Sequence, residues 1–132
     1  MTLEGGCLCG AVRYGVQGEP EHVALCHCSD CRKASGAPVT AWAAFAGSHF
    51  ALKAGAPASY SSNGDAVRHF CQNCGSGLYY VNEAVLPGLV DIQVATLDDP
   101  DALAPQVHIQ VAEQVGWMAG AHDLPHFDRY PG

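Results

Sequence analysis

Seven cysteines carry most of the chemistry in this chain, spaced as Cys7-x-Cys9, Cys26-x-Cys28-x2-Cys31 and Cys71-x2-Cys74. Zinc takes four protein ligands in a structural site and three plus an exchangeable position in a catalytic one. Seven sulfurs therefore divide into one closed four-cysteine site and one open three-cysteine site, two zinc ions per chain. Cys26, Cys28 and Cys31 are close neighbours, so a strand end running into one helical turn can aim all three at a single metal. That leaves Cys7, Cys9, Cys71 and Cys74 for the structural zinc. A rival grouping takes Cys7, Cys9, Cys26 and Cys28 for one metal and Cys31, Cys71 and Cys74 for the other, but it separates Cys31 from its nearest neighbours, and the first grouping is preferred.

The donor set decides what the open site can do. Three thiolates on a dication leave a formal negative charge and weaken the metal as an activator of water, compared with neutral histidine ligands. A thiol is softer and more acidic than water and is the better fourth ligand, so the chemistry expected at Cys26, Cys28 and Cys31 is thiol activation. The competing reading is a second structural zinc completed by His27, His69 or His108, each of which is read as a non-ligand. Arg32 and Lys33 follow Cys31 directly and are the first candidates to hold a substrate carboxylate, against a plain solvated pair.

The elements that must position these groups are short. Turn signals at Gly18-Glu19-Pro20, Ser35-Gly36-Ala37-Pro38, Gly55-Ala56-Pro57, Asn63-Gly64, Pro87-Gly88 and Asp99-Pro100 bracket β-rich runs. Those runs cover Ala11 to Val16, Val39 to Phe45, His49 to Lys53, Val67 to Phe70, Leu78 to Val81, Val90 to Thr96 and Val107 to Val111, and predict a mainly β chain of antiparallel strands. One helical turn is expected near residues 29–35, with Ser29 as its cap and Gly36 as its stop. Gly75, after Cys74, suits a metal knuckle whose backbone turns its amides toward sulfur. Trp42, Phe45 and Trp117 read as core packing, although a tryptophan beside an open metal could wall a pocket. Of Tyr79 and Tyr80, adjacent on one strand, only one should be exposed.

Length and charge bound the rest. The 132 residues are expected to form a single zinc-binding domain, 1–132. A formal net charge of −7 with six dispersed lysines and arginines argues against a nucleic-acid surface. No signal-peptide pattern and no membrane span are legible, and clustered cysteines in odd number point to metal ligation in a reducing compartment, so a cytoplasmic location is expected. The sequence gives no indication of oligomeric state.

The segments Gly5-Gly6-Cys7-Leu8-Cys9-Gly10-Ala11-Val12-Arg13-Tyr14, Cys26-His27-Cys28-Ser29-Asp30-Cys31-Arg32-Lys33-Ala34-Ser35-Gly36-Ala37 and Arg68-His69-Phe70-Cys71-Gln72-Asn73-Cys74-Gly75-Ser76 resemble the glutathione-dependent formaldehyde-activating enzyme family. The likeness continues through His108-Ile109, Trp117, Leu124-Pro125 and Phe127. It implies a β-tent fold with two zinc sites, the structural one at Cys7, Cys9, Cys71 and Cys74 and the catalytic one at Cys26, Cys28 and Cys31. It also implies condensation of formaldehyde with glutathione to S-hydroxymethylglutathione, formally a carbon–sulfur lyase run in reverse. Glutathione's sulfur is then expected at the vacant zinc position, with Arg32 and Lys33 holding its carboxylates. The partners implied are a small thiol and a small aldehyde. The chromatin-associated centromere protein V has a similar domain and related folds include non-enzymatic chaperones, so the alternative is a zinc-stabilised interaction module, with the acidic Asp98-Asp99-Pro100-Asp101 turn as a possible contact.

Overall fold

Turn residues cut the chain into ten strands and one α-helix in a computed structural model that describes residues 1–132. The strands are β1 (Thr2–Gly6), β2 (Arg13–Gln17), β3 (His22–Cys26), β4 (Thr40–Ala46), β5 (Phe50–Ala54), β6 (Ala58–Asn63), β7 (Ala66–Phe70), β8 (Gly77–Asn82), β9 (Leu89–Gln93) and β10 (Val107–Ile109), with α1 (Ser29–Ser35) between β3 and β4. A small sheet runs β1-β2-β5 and a large one β10-β3-β4-β9-β8-β7-β6. All pairings are antiparallel except that of β10 with β3, where the chain returns to the far edge of the sheet. The mainly β fold expected from the turn spacing is the one observed. Three strands, β1, β3 and β6, escaped the sequence reading, and the run Val90 to Thr96 is cut short because Val94–Thr96 closes as a 3-10 turn.

Period-2 alternation gives the large sheet two chemically different faces. One face packs Val23, Ala43, Phe45, Tyr79 and Ile92 against Tyr14 and Val16 of the small sheet, and this shared layer is the core. Phe45, Leu78 and Ile92 are wholly buried, and each such side chain stabilises by roughly 1.5–3 kcal/mol. On the opposite face, register aligns His22 with Ala44, Ala44 with Asp91, Asp91 with Tyr80 and Tyr80 with Arg68, in a row across five strands. Ala24 and Trp42 form the next row, and Cys26 with Thr40 the one after. Strand alternation thus delivers Cys26 to the same face as Trp42, Asp91, Tyr80 and Arg68.

Two close contacts tie down the small sheet. Gly55 adopts φ 79° after β5, and a Cβ there would lie 2.2 Å from the Ala11 carbonyl oxygen, so only glycine fits. Arg13 on β2 donates to both carboxylate oxygens of Asp98, at 2.9 and 2.5 Å. The acidic turn that looked like a partner contact is therefore tied, through Asp98, to the small sheet. Trp117 departs from its expected core role: it is 64% exposed, on the 3-10 segment Gly116–Asp123, whereas Trp42 and Phe45 are buried.

Candidate metal centres and cavity

Sulfur atoms gather in two groups, Cys7, Cys9, Cys71 and Cys74 in one and Cys26, Cys28 and Cys31 in the other, each with all its sulfurs within 4.8 Å of one another. The four-cysteine group sits where the sheets meet, on the loop after β1 and the loop between β7 and β8. The second loop is a tight knuckle in which the Gly75 amide donates to the Cys71 carbonyl at 2.8 Å and Gly75 takes φ 81°. Donors converge on the sulfurs: the Val12 amide on Cys7 at 3.2 Å, Asn73 Nδ2 on Cys9 at 3.3 Å and the Cys74 amide on Cys71 at 3.5 Å. Hydrogen bonds to Ser76 hold the Cys74 thiol down to about 5, so this sulfur ionises readily.

These sulfurs fit a tetrahedral ion. Zinc–sulfur bonds of about 2.3 Å in a regular tetrahedron place neighbouring sulfurs about 3.8 Å apart. Cys7 to Cys9 measures 3.7 Å and Cys9 to Cys71 3.8 Å. The two cysteine clusters could hold metal ions.

The three-cysteine group forms at a strand–helix junction. Cys26 ends β3, Cys28 is the residue that caps α1, and Cys31 lies in the first turn. The cap is Cys28 and not Ser29: with extended backbone at φ −65° and ψ 150°, Cys28 lets its sulfur accept the Cys31 amide at 3.2 Å. The Ser29 amide instead donates to Glu113 Oε1 at 3.0 Å. Gly36 ends the helix in the left-handed region, as its sequence position suggested. Without a counter-charge the three thiols resist ionising together. A hydrogen bond to Cys26 and burial push the Cys31 thiol far up, while the same bond holds Cys26 below the usual thiol range. A bound cation would favour all three thiolates at once.

None of the three histidines completes the group. His27 is fully buried and meets His108, Nε2 to Nδ1, at 2.8 Å, while His69 stacks on Tyr79 with ring centroids 4.3 Å apart. A cavity of about 300 Å³ opens over the sulfurs instead, walled by Trp42, Tyr80, Arg68 and Asp91. Trp42 and Arg68 also border a second hollow of about 420 Å³, lined further by Tyr60, Phe70 and Tyr79. Tyr79 turns into the core and Tyr80 toward the cavity, as expected of adjacent strand residues.

Charge at the cavity comes from residues the sequence reading passed over. Arg68 spreads its guanidinium over the Tyr80 ring at 5.1 Å and approaches Cys31 Sγ at 3.8 and 3.9 Å. Arg32 and Lys33 line a separate depression of about 310 Å³ with Ala37, Pro38 and Trp117. Asp91 also borders the sulfur cavity; it is buried, and its Oδ1 has no hydrogen-bond partner. Both residues left a trace in the sequence, each being a lone charge inside a β run, at Val67-Arg68-His69 and Val90-Asp91-Ile92. Their convergence depends on strand order β9-β8-β7, which local patterns do not encode.

A mainly β fold with one four-cysteine and one three-cysteine cluster that could each hold a metal ion, the latter facing a cavity, defines a class of small cysteine-clustered β proteins. Within it, the chain belongs to the glutathione-dependent formaldehyde-activating enzyme family, whose sequence model matches residues 2–113. A Halomonas elongata protein carrying that family's name is 32% identical over 127 residues, spanning 89% of this chain and 80% of the relative. An uncharacterized lyase of Schizosaccharomyces pombe is 30% identical over 112 residues, covering 74% of this chain and 81% of the relative. The crystal structure of a Rhodobacter sphaeroides protein superposes with a TM-score of 0.66 at 25% identity, over 80% of this chain and 99% of that one. No helix is long and apolar enough to cross a membrane.

Proposed function

We propose that this chain is a zinc-dependent enzyme that adds a small thiol, glutathione or one like it, to formaldehyde or another small aldehyde, as a carbon–sulfur lyase acting in the synthetic direction. The observation that carries the reading is the three-cysteine group itself: three sulfurs within 4.8 Å, no fourth protein donor, and a cavity directly above. In this reading Cys7, Cys9, Cys71 and Cys74 hold a structural zinc and Cys26, Cys28 and Cys31 hold the catalytic one. Zinc so ligated supplies a soft acceptor that favours the ionised form of a substrate thiol at neutral pH.

The protein's own residues do the remainder. Arg68 offsets the negative charge of the thiolates through its contact with Cys31 and presents a cationic fork to the anionic groups of the substrate. That role falls to Arg68 in preference to Arg32 and Lys33, because only Arg68 borders both hollows. Trp42 and Tyr80, with ring centroids 5.8 Å apart, give the cavity an apolar wall that limits water around the nucleophilic sulfur. Holding thiol and aldehyde together converts an encounter of two solutes into a positioned attack, an effect that can reach several kcal/mol. Seven free cysteines with no disulfide suit a reducing, cytoplasmic setting.

Exchange NMR on glutathione and formaldehyde separates catalysis from the spontaneous reaction. The protein carrying two zinc ions should raise the interconversion rate of thiol and hydroxymethyl adduct above buffer, and Cys28→Ser should return it to the buffer value. An unchanged rate with the wild-type protein would refute the reading.

A further inference from the structure

Of the thirteen aspartates and glutamates, only Asp91 is buried, with 7% of its surface exposed. It stands on β9 between Ala44 of β4 and Tyr80 of β8, a position at which an apolar side chain would serve packing better. No cation pairs with it, and Oδ1 is sealed from solvent with no hydrogen-bond partner. A buried, unsatisfied carboxyl costs stability, and such groups concentrate where chemistry needs them. This one borders the cavity that holds Cys26, Cys28 and Cys31. Other proton carriers that line the cavity are less enclosed: His22 and Tyr80 are half-buried, Tyr80 Oη accepting from Asn82 Nδ2 at 2.8 Å, and Asp30 is exposed on α1.

We propose that Asp91 is the proton-transfer residue of the thiol addition, an inference that rests on the thiol–aldehyde reading above. The Asp91 carboxylate takes the proton of the incoming thiol. The sulfur lone pair then forms the new bond to the aldehyde carbon, the carbonyl π pair moves to oxygen, and that oxygen receives the proton back from Asp91. Carboxylate, thiol and aldehyde thus give carboxylate and hydroxymethyl thioether, with no other reactant consumed. Burial pushes the Asp91 carboxyl up to about 6, which suits a group that must both take and return a proton near neutrality. The titratable and charged groups that share its cavity are His22, which acts to lower that value, and Cys26 from β3, Tyr80 from β8, Arg68 from β7, Cys28 at the cap of α1, and Asp30 and Cys31 on α1. β4 contributes only Ala44 at this point.

The test compares Asp91→Asn and Asp91→Glu with the wild type, all loaded with two zinc ions. Asp91→Asn should lose about 100-fold or more in kcat for adduct exchange, together with the acidic limb of the pH–rate profile. Asp91→Glu should keep that limb at reduced rate. Calorimetry of glutathione binding in buffers of different ionisation enthalpy supplies a readout independent of turnover: the wild type should release measurably less than one proton to buffer, and Asp91→Asn a full one. Wild-type kcat and an unchanged acidic limb in Asp91→Asn, or equal proton release by the two proteins, would overturn the role of Asp91 alone. Absence of wild-type turnover above the spontaneous rate would overturn the thiol–aldehyde reading and this inference with it.

Discussion

Replacing Cys71 and Cys74 together by serine should destabilise the protein far more than replacing Cys28, although each change would disable one proposed metal centre. A metal held by the four-cysteine group would clip the loop after β1 to the β7–β8 loop, joining Cys9 to Cys71 across 62 residues of chain. A cross-link closing a loop of that length removes about 4 kcal/mol of unfolded-state entropy on the polymer estimate developed for disulfides. Unfolding entropy scales with length, so for 132 residues this corresponds to a fall in Tm of about 15 °C. Net stabilities of domains lie near 5–15 kcal/mol, so such a clip would carry a large share of the folded state's stability. Cys26 to Cys31 is a different case, because β3 and α1 already order the short segment between them, and closing it adds at most about 2 kcal/mol. Serine at position 28 also remains a competent helix cap for the Cys31 amide. Thermal unfolding followed by circular dichroism, with zinc content measured on each sample, tests the contrast. Equal losses of Tm in the two variants, or a larger loss in Cys28→Ser, would refute the division into one structural and one open centre.

Two further outcomes follow from the cavity walls. Arg68→Gln should raise the KM for an anionic thiol by roughly 10- to 100-fold, the range expected when a charge-assisted hydrogen bond is lost. Arg68→Lys should recover only part of it because the bidentate fork is gone; steady-state kinetics with glutathione and with uncharged 2-mercaptoethanol separates charge recognition from damage, since the neutral thiol should be little affected. Asp91 gives a pH dependence of stability whose sign is opposite to that of a paired carboxylate. Its folded value, about 6, lies above the unfolded one, 3.8, so the native state binds the extra proton between those values, and the stability linked to it is complete below about pH 4 and is lost as pH rises through about 6. Asp91→Asn should therefore be more stable than wild type at pH 8, by something on the order of 2–3 kcal/mol, and close to wild type at pH 4. Urea unfolding at the two pH values measures this, and a variant equally or less stable at pH 8 would contradict it.

Local signals carried much of this fold and of its metal sites. Turn residues such as Gly36 and Gly55 act through backbone geometry that one or two neighbours define, and the grouping of Cys26, Cys28 and Cys31 needs only a strand end and one helical turn. Strands β1 and β3 were hidden by their own composition: Thr2–Gly6 ends in two glycines, and His22–Cys26 has no polar–apolar alternation because both of its faces are covered, Val23 in the shared core and Ala24 and Cys26 on the face that carries Trp42. Trp117 looked like core, yet no element packs over the 3-10 segment that carries it. The charged groups of the cavity were less legible still. Arg68 and Asp91 become neighbours of the sulfurs only when β7, β8 and β9 assemble in that order beside β4, whereas Arg32 and Lys33, adjacent to Cys31 in sequence, face away because a helix turns successive residues about its axis.

The central claim is that the three-cysteine centre keeps a position for a substrate thiol. Calorimetric titration of reduced glutathione into protein confirmed to carry two zinc ions, with S-methylglutathione as the control, tests it most directly. Binding by the free thiol, weakened at least tenfold by S-methylation and abolished in Cys28→Ser, is the result expected. Equal binding of both ligands, or none by either, would contradict a thiol site at Cys26, Cys28 and Cys31 and favour a closed centre in an interaction module.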